Sequence, residues 1–383
     1  LCAEISVLDA MVVFATIQPK GGVMAEDVLV KVKALTDFVM RVFERLGVPA
    51  DDARTAALVL LSSDLRGIPS HGLARLRRYV KDLQSKVTQP KPKIRILKET
   101  SSTLLIDGND GLGMVVGTWS MNKVIEKAKQ SGVCFASIRN SNHYGIAGYY
   151  SMMALEHDLI GISMTNSAPL VVPTFGKDAI IGTNPISFAF PAGNERPFVL
   201  DMAAATAPRG KLEDYVRKDK VLPITWATDE NGSPTTDGKR VLDNLINRKG
   251  GGLLPLGGGD EETGGHKGYG LSVVIDILSG ILSGGAYGPL VYGKKNGPAN
   301  VCHFLGAMKI DAFIPKDEFK KGLDGYIQLL KSSAKAAGKD RIYVAGEKEY
   351  EKQEAHTEQV AVYSKVLDDL RAIGQEVGAV PDF

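Results

Sequence analysis

Apolar positions recur at helical spacing near both ends of the chain and in short strand-like runs between them. Over 26–46, EDVLVKVKALTDFVMRVFERL, the residues Val32, Leu35, Phe38, Val39, Val42, Phe43 and Leu46 share one helical face. Gly47 and Pro49 end that helix. Asp51 and Asp52 open a second, ARTAALVLLSSDLRG, and after a break at Gly67–Ser70 a third follows, HGLARLRRYVKDLQ. Pro90 and Pro92 mark a linker, after which IRILKET and STLLIDG read as strands. A helix over 119–130 and the strand VCFASI come next, then a helical NHYGIAGYYSMMALEHD and the strands LIGISMTN, ISFAFP and PFVLDMA. Residues 207–270 are irregular and turn-rich. An apolar helix after Gly270, a strand near CHFLGAMKID, a helix around 318–333 and a final amphipathic helix, TEQVAVYSKVLDDLRAIGQEV, complete the chain. Helical ends around a sheet-rich middle predict an α/β, or α+β-like, fold. The expected division is a helical domain built from 24–105 and 300–383, a sheet-rich domain over 106–299, and an N-terminal extension, 1–23.

Composition narrows the function classes. The 383 residues are 44% hydrophobic and 23% charged, as in ordinary globular proteins. A net charge of +2 predicts no nucleic-acid stripe. Three cysteines, Cys2, Cys134 and Cys302, are too scattered for a disulfide framework or a metal cluster. The apolar run in the first 22 residues carries Asp9 and has no basic flank, so neither a signal peptide nor a membrane anchor is expected, and the location expected is cytoplasmic. Glycine is the outlier: 42 residues, against a usual share of about 7%.

Three constellations carry candidate chemistry. Asn140-Ser-Asn-His143-Tyr-Gly145 lies between a strand and a helix, where α/β proteins bind ligands, and an imidazole there suits proton transfer near neutral pH. The plain alternative is a helix cap beside a satisfied histidine. Ser70-His71-Gly72-Leu-Ala-Arg75 gathers a cap, a His and an Arg at one helix start, a cationic pocket for a carboxylate or phosphate, or else a solvated basic face. Gly250–Gly270 holds ten glycines feeding a helix, with Lys267 among them: a phosphate cradle or a mobile loop. The run Gly111-Leu-Gly113-Met-Val-Val-Gly117 is one residue too long for a dinucleotide fingerprint. The histidines show no metal-ligand spacing, so no metal is expected.

With these residues assembled, the chain resembles the type-2 malate/L-lactate dehydrogenase family of NAD(P)-dependent oxidoreductases, most of all its malate dehydrogenase branch. The matching segments are DLRGIPSHGLARLRRY, IRNSNHYGIAGYYSMMA, MTNSAPLVVPTFG, IGTNPISFAFP, FVLDMA, LLPLGG, GGHKGYGLSVVIDILSGILSG, VCHF and AGEKE, spread over about residues 60–350. The resemblance implies a non-Rossmann fold: a largely antiparallel seven-stranded sheet that binds the dinucleotide, a helical domain made by both chain ends, and a homodimer. It implies His143 as proton acceptor, with Ser70, His71 and Arg75 at the substrate. Ser167, Asp201, Met202, Ala203, Lys267, Gly346, Glu347 and Lys348 fall near NAD or NADP. Two departures stand out, AAATAPRGK after Asp201 where a Thr-Ser pair is commoner, and Ala345 where Pro is commoner. The implied reaction moves a hydride between nicotinamide and a small 2-hydroxy or 2-oxo acid, malate/oxaloacetate first. Lactate, sulfolactate, ureidoglycolate or a cyclic imine are the alternatives, as is a non-catalytic dinucleotide-binding protein. No nucleic-acid or membrane partner is implied.

Overall fold

The structure is a computed structural model and describes residues 27–294 and 297–383. The expected extension 1–23 lies outside the described residues. The described residues begin with strand β1 (Asp27–Lys31) and helices α1 (Val32–Arg45), α2 (Ala50–Leu65) and α3 (Leu76–Gln84). Strands β2 (Arg95–Glu99) and β3 (Thr103–Asp107), helix α4 (Gly113–Ser131), strand β4 (Val133–Ser141) and helix α5 (Ala147–Met153) follow. Next come β5 (Leu159–Thr165), β6 (Ile186–Phe190) and β7 (Phe198–Met202). The stretch read as irregular contains α6 (Arg209–Arg217), β8 (Ala227–Thr228), α7 (Gly238–Asn247) and β9 (Gly252–Leu253). The chain closes with α8 (Gly265–Asp276), β10 (Val301–Lys309), α9 (Lys316–Ser332), α10 (Glu347–Ala355), β11 (Gln359–Tyr363) and α11 (Ser364–Val377).

Seven strands form one sheet in the order β2-β3-β4-β10-β5-β6-β7. Only β3 and β4 pair in parallel, across α4; every other pairing is antiparallel. This is the expected mostly antiparallel, non-Rossmann sheet. The GxGxxxG run does sit at the one parallel crossover, yet its glycines serve packing. A Cβ on Gly113 would meet the Asn142 carbonyl at 2.1 Å, and one on Gly117 the Tyr150 ring at 2.6 Å.

Two cores meet behind this sheet. One joins α1, α2 and α3 to both chain ends, with Leu35, Phe38, Phe43, Leu60, Leu76, Tyr79, Leu367, Leu370 and Ile373 buried in it. The other packs α4 and α5 on the sheet through Val116, Val124, Ile138, Tyr144 and Tyr150. The helices near both ends pack together. β2, the first part of β3 and β10 fall within 24–105 and 300–383 and belong to the seven-stranded sheet. The ends also pair as strands, β1 with β11 antiparallel, where continuous helices were expected. QVAVY alternates buried and exposed positions with period two, VLVK is a short β-branched apolar run, and each strand passes straight into its helix. No helix among the described residues is long and apolar enough to cross a membrane.

The glycine tract feeds α8 as expected, and again for close packing. Gly257 and Gly258 have φ of +98° and +104°, and a Cβ on Gly268 would strike the Leu256 carbonyl at 2.1 Å.

Candidate active site

A cavity of about 500 Å³ opens between the helical unit and the sheet. His143 reaches it from the loop after β4, and Thr165, Ser167 and Thr183 belong to the sheet side. Arg75 and His71 come from the other unit. The segment expected to start a helix at His71 folds instead as two short 3-10 turns, Pro69–His71 and Leu73–Arg75, before α3 begins at Leu76. Gly72 breaks the run because Asp64 of α2 fills the space where its Cβ would sit, 2.0 Å from the carboxylate Oδ2. That Oδ2 accepts the Leu73 N–H at 2.7 Å and so anchors the turn carrying Arg75. Burial pushes the Asp64 pKa up to about 7, against the opposing pull of the Leu73 amide.

His143 is recessed in the cavity wall. Its Nδ1 lies 2.6 Å from the Tyr79 hydroxyl and 3.3 Å from the Gly145 amide. Nε2 is left without a protein partner among the described residues, which makes it the nitrogen available to a ligand. Burial holds the ring's pKa well below the usual imidazole value, reinforced by the Arg78 and Arg75 charges. His143 is therefore a neutral imidazole at neutral pH, and Nε2 is its accepting nitrogen in the tautomer that carries its proton on Nδ1, toward the Tyr79 hydroxyl. His71 stacks on it at 5.6 Å between centroids and 22° between planes. Its own Nδ1 is 3.0 Å from Ser70 Oγ. Burial, then Arg75, lower the His71 pKa to about 4. His71 thus adds a neutral hydrogen-bonding group, not the positive charge expected of it. Arg75 donates through Nε to the Ser70 carbonyl at 2.6 Å, which fixes the guanidinium plane and leaves both Nη groups for the cavity.

The opposite wall is neutral and rigid. Ser167 Oγ accepts the Thr183 amide at 2.9 Å, and the Ser167 amide donates to Asn184 Oδ1 at 3.0 Å. Asn166 is held by Asp276, Ala286 and Cys302 through both ends of its amide. Leu170, Pro185 and Val301 supply apolar surface beside them. Fixed peptide dipoles next to apolar side chains fit a flat carboxamide-bearing ring, so these residues suit a nicotinamide.

The remaining sequence candidates divide. Asp201, Gly346 and Lys348 gather at a second cavity of about 300 Å³, with Arg66 and Tyr343. There Asp201 accepts the Gly148 amide at 2.8 Å, and burial raises its pKa to about 6. Glu347 is turned away from it, held by Arg341 at 2.6 Å and Lys331 at 3.1 Å. Met202 and Ala203 line neither cavity. Lys267 is exposed on α8 and lines neither.

Several residues escaped the sequence reading: Tyr79, Arg78, Arg209, Glu213, Tyr292 and the buried His303. Tyr79 follows Arg75 by one helical turn, the signal that could have found it. His303 lies beneath the cavity. Thr165 donates to the Cys302 carbonyl and so accepts from His303 Nδ1 at 2.8 Å; Ser141 meets Nε2 at 2.8 Å. Burial lowers its pKa to about 3, so it ties strands together as a neutral ring.

A neutral imidazole beside a guanidinium can move a proton next to a bound acid, and comparison with known proteins gives the family. The malate/L-lactate dehydrogenase family model matches residues 30–371. The chain belongs to the malate/L-lactate dehydrogenase family. It is an enzyme of that dehydrogenase family, 48% identical over 360 residues to a malate dehydrogenase of Pyrococcus horikoshii, covering 94% of this chain and 98% of the relative. An L-sulfolactate dehydrogenase of Methanocaldococcus jannaschii is 39% identical over 343 residues, covering 89% and 94%. The solved malate dehydrogenase of Entamoeba histolytica superposes with a TM-score of 0.89 at 34% identity, covering 94% of this chain and 100% of that one.

Proposed function

We propose that this dehydrogenase interconverts malate and oxaloacetate with NAD or NADP, and that His143 is its acid–base residue. The observation that carries the reading is the free Nε2 of a neutral His143 facing a cavity that also holds Arg75. When bound, the nicotinamide supplies the hydride acceptor at C4 of its ring. In oxidation Nε2 takes the proton of the C2 hydroxyl; in reduction it returns that proton to the new alkoxide. Tyr79 holds Nδ1, so the ring does not rotate as the charge changes. Arg75 grips the C1 carboxylate with its two Nη groups, a bidentate pair that fixes the C2 hydrogen toward the ring. Ser70 and His71 orient the same end of the substrate. Ser167 lies on the wall that fits the carboxamide ring. Asp201, Gly346 and Lys348, at the second cavity, suit ribose hydroxyls and phosphate. Met202, Ala203, Glu347 and Lys267 have no contact with either cavity within one chain, so their part in cofactor binding would require a partner subunit or a closed form.

That partner is a second copy. Val274, Ile277, Ile281 and Leu282 on and after α8 are 43–57% exposed and form an apolar run suited to a homodimer contact. Sedimentation at micromolar concentration is expected to give the dimer mass, and a monomer throughout would overturn this. The location proposed is cytoplasmic, in keeping with the free buried Cys134 and Cys302. The deciding experiment mixes the protein with NADH or NADPH and a panel of 2-oxo acids and cyclic imines while following nicotinamide absorbance. Oxaloacetate should be reduced fastest. Turnover of imines alone would replace this reading, and inertness toward the whole panel would leave a binding protein.

A further inference from the structure

The charge of the His143 cavity exceeds what one carboxylate needs. Three guanidiniums line it, Arg75, Arg78 and Arg209, against one carboxylate, Glu213. Arg209 takes that carboxylate itself, Nε to Oε1 at 2.8 Å across one turn of α6. Both cavity histidines are neutral. That leaves Arg75 with no ion-pair partner among the described residues, and Arg78 with one, Asp82, that lies outside this cavity. The two arginines stand three residues apart where α3 begins, about one helical turn, so both project to one side. Asp82 is 3.8 Å from Arg78 Nε and lines only the neighbouring cavity, whereas Arg78 and Tyr292 line both, so the guanidinium bridges the two with its carboxylate partner on the far side.

Arg78 is also held in place deliberately. Its Nη2 donates to the Tyr292 hydroxyl, and its guanidinium carbon lies 4.9 Å from the centroid of that ring. Tyr292 adopts φ of +54°, a left-handed conformation that bulky aromatic residues rarely take. Strain of this kind is kept where the surroundings demand it, often at ligand sites. Here it puts the hydroxyl on Arg78.

We propose that Arg78, clamped by Tyr292, binds the second acid group of the substrate and makes the enzyme selective for dianionic 2-hydroxy and 2-oxo acids over monoacids. This rests on the reading of Arg75 as the anchor of the first carboxylate. The distal group is a carboxylate or a sulfonate, since either presents oxygens to a planar fork at one negative charge. Malate and sulfolactate, the substrates named for two of the relatives, share that second acid group, whereas lactate lacks it.

The test compares kcat/KM for oxaloacetate, 3-sulfopyruvate and pyruvate in the wild-type enzyme and in Arg78→Gln, Arg78→Lys, Arg209→Gln and Tyr292→Phe. Losing one partner of a buried, hydrogen-bonded charge pair costs a factor of roughly 30 to several thousand. Arg78→Gln should lower the oxaloacetate-to-pyruvate ratio by that factor, mainly through KM for the diacids, and sulfopyruvate should follow oxaloacetate. Arg78→Lys keeps the charge without the fork and should recover part of the ratio. Tyr292→Phe should raise KM for diacids by about 10- to 150-fold, the loss of one hydrogen bond to a charged group. An unchanged ratio in Arg78→Gln, or a fall confined to Arg209→Gln, would overturn the proposal. If Arg78→Gln does not fold, the ratio in Arg78→Lys decides in the same way. A wild-type enzyme that reduces no 2-oxo acid would sink the underlying reading instead, and one that reduces pyruvate as well as oxaloacetate would sink only the role of Arg78.

Discussion

Replacing Tyr79 with Phe removes one atom, the hydroxyl 2.6 Å from His143 Nδ1, and leaves the ring in the helical core. That hydroxyl has no other hydrogen-bond partner among the described side chains, so the perturbation acts on His143 alone. When Nε2 takes the substrate proton, His143 becomes an imidazolium, and Nδ1–H then needs an acceptor in a site where burial already disfavours the charge. A hydrogen bond to a charged group is worth about 1.5–3 kcal/mol, which converts to about a 10- to 150-fold loss in kcat. KM should move little, because Tyr79 does not hold the carboxylate. A second readout separates this from general damage. Without the acceptor the imidazolium is less stable, the His143 pKa falls further, and the acid limb of malate oxidation shifts to lower pH. Stopped-flow or steady-state malate oxidation across pH, with unfolding by urea as control, measures all three. A kcat within about twofold of wild type, with the acid limb in place, would refute the role given to Tyr79.

His143→Gln should cost roughly 10²–10⁴ in rate with the fold intact, and near wild-type malate turnover would sink the acid–base assignment. Arg75→Lys loses the fork and should raise KM for oxaloacetate by about 10- to 150-fold; unchanged affinity would refute the carboxylate role. Asp64 has a folded-state pKa raised by burial to about 7, above its unfolded value, so its contribution to stability is full below about pH 4 and is lost as pH rises through 7. Asp64→Asn should flatten that slope, worth on the order of 4 kcal/mol by linkage. Parallel stability–pH curves for the two proteins would show that Asp64 is not its source.

How much of this was legible depends on what kind of signal each residue leaves. His143 was legible because a run of polar side chains after an apolar strand marks a ligand-binding strand end. Arg75 stood beside a cap and a histidine at fixed spacing. Tyr79 was hidden, because a tyrosine at a helical core position looks like packing, and most of it is. The paired ends were misread because Lys31 and Tyr363 make the strand-to-helix change in one residue, at φ, ψ of −61°, 128° and −60°, 130°, with no glycine or proline to announce it. The alternation in QVAVY and the β-branched run VLVK were the signal, masked by the longer helical period that follows. Lys267 shows the opposite case: a basic residue in a glycine tract invites a phosphate, yet within one chain it lines neither cavity and those glycines let the 254–258 backbone lie on α8.

The position of Tyr79 ties catalysis to how the two units pack. Tyr79 belongs to the core made by both chain ends, His143 to the loop above the sheet, and their hydrogen bond crosses the boundary between the two hydrophobic clusters. Arg75 crosses the same boundary from a turn that Asp64 of α2 holds through Leu73. Nothing in the sheet alone can therefore set the distance between base and carboxylate anchor; the helical unit sets it. A slight shift of α2 or α3 against the sheet, too small to unfold either core, would move Arg75 and Tyr79 together relative to His143. Positioned catalysis is lost steeply with such displacements. Hence the strands that staple the chain ends together, although remote from the cavity, belong to the machinery that keeps the site assembled.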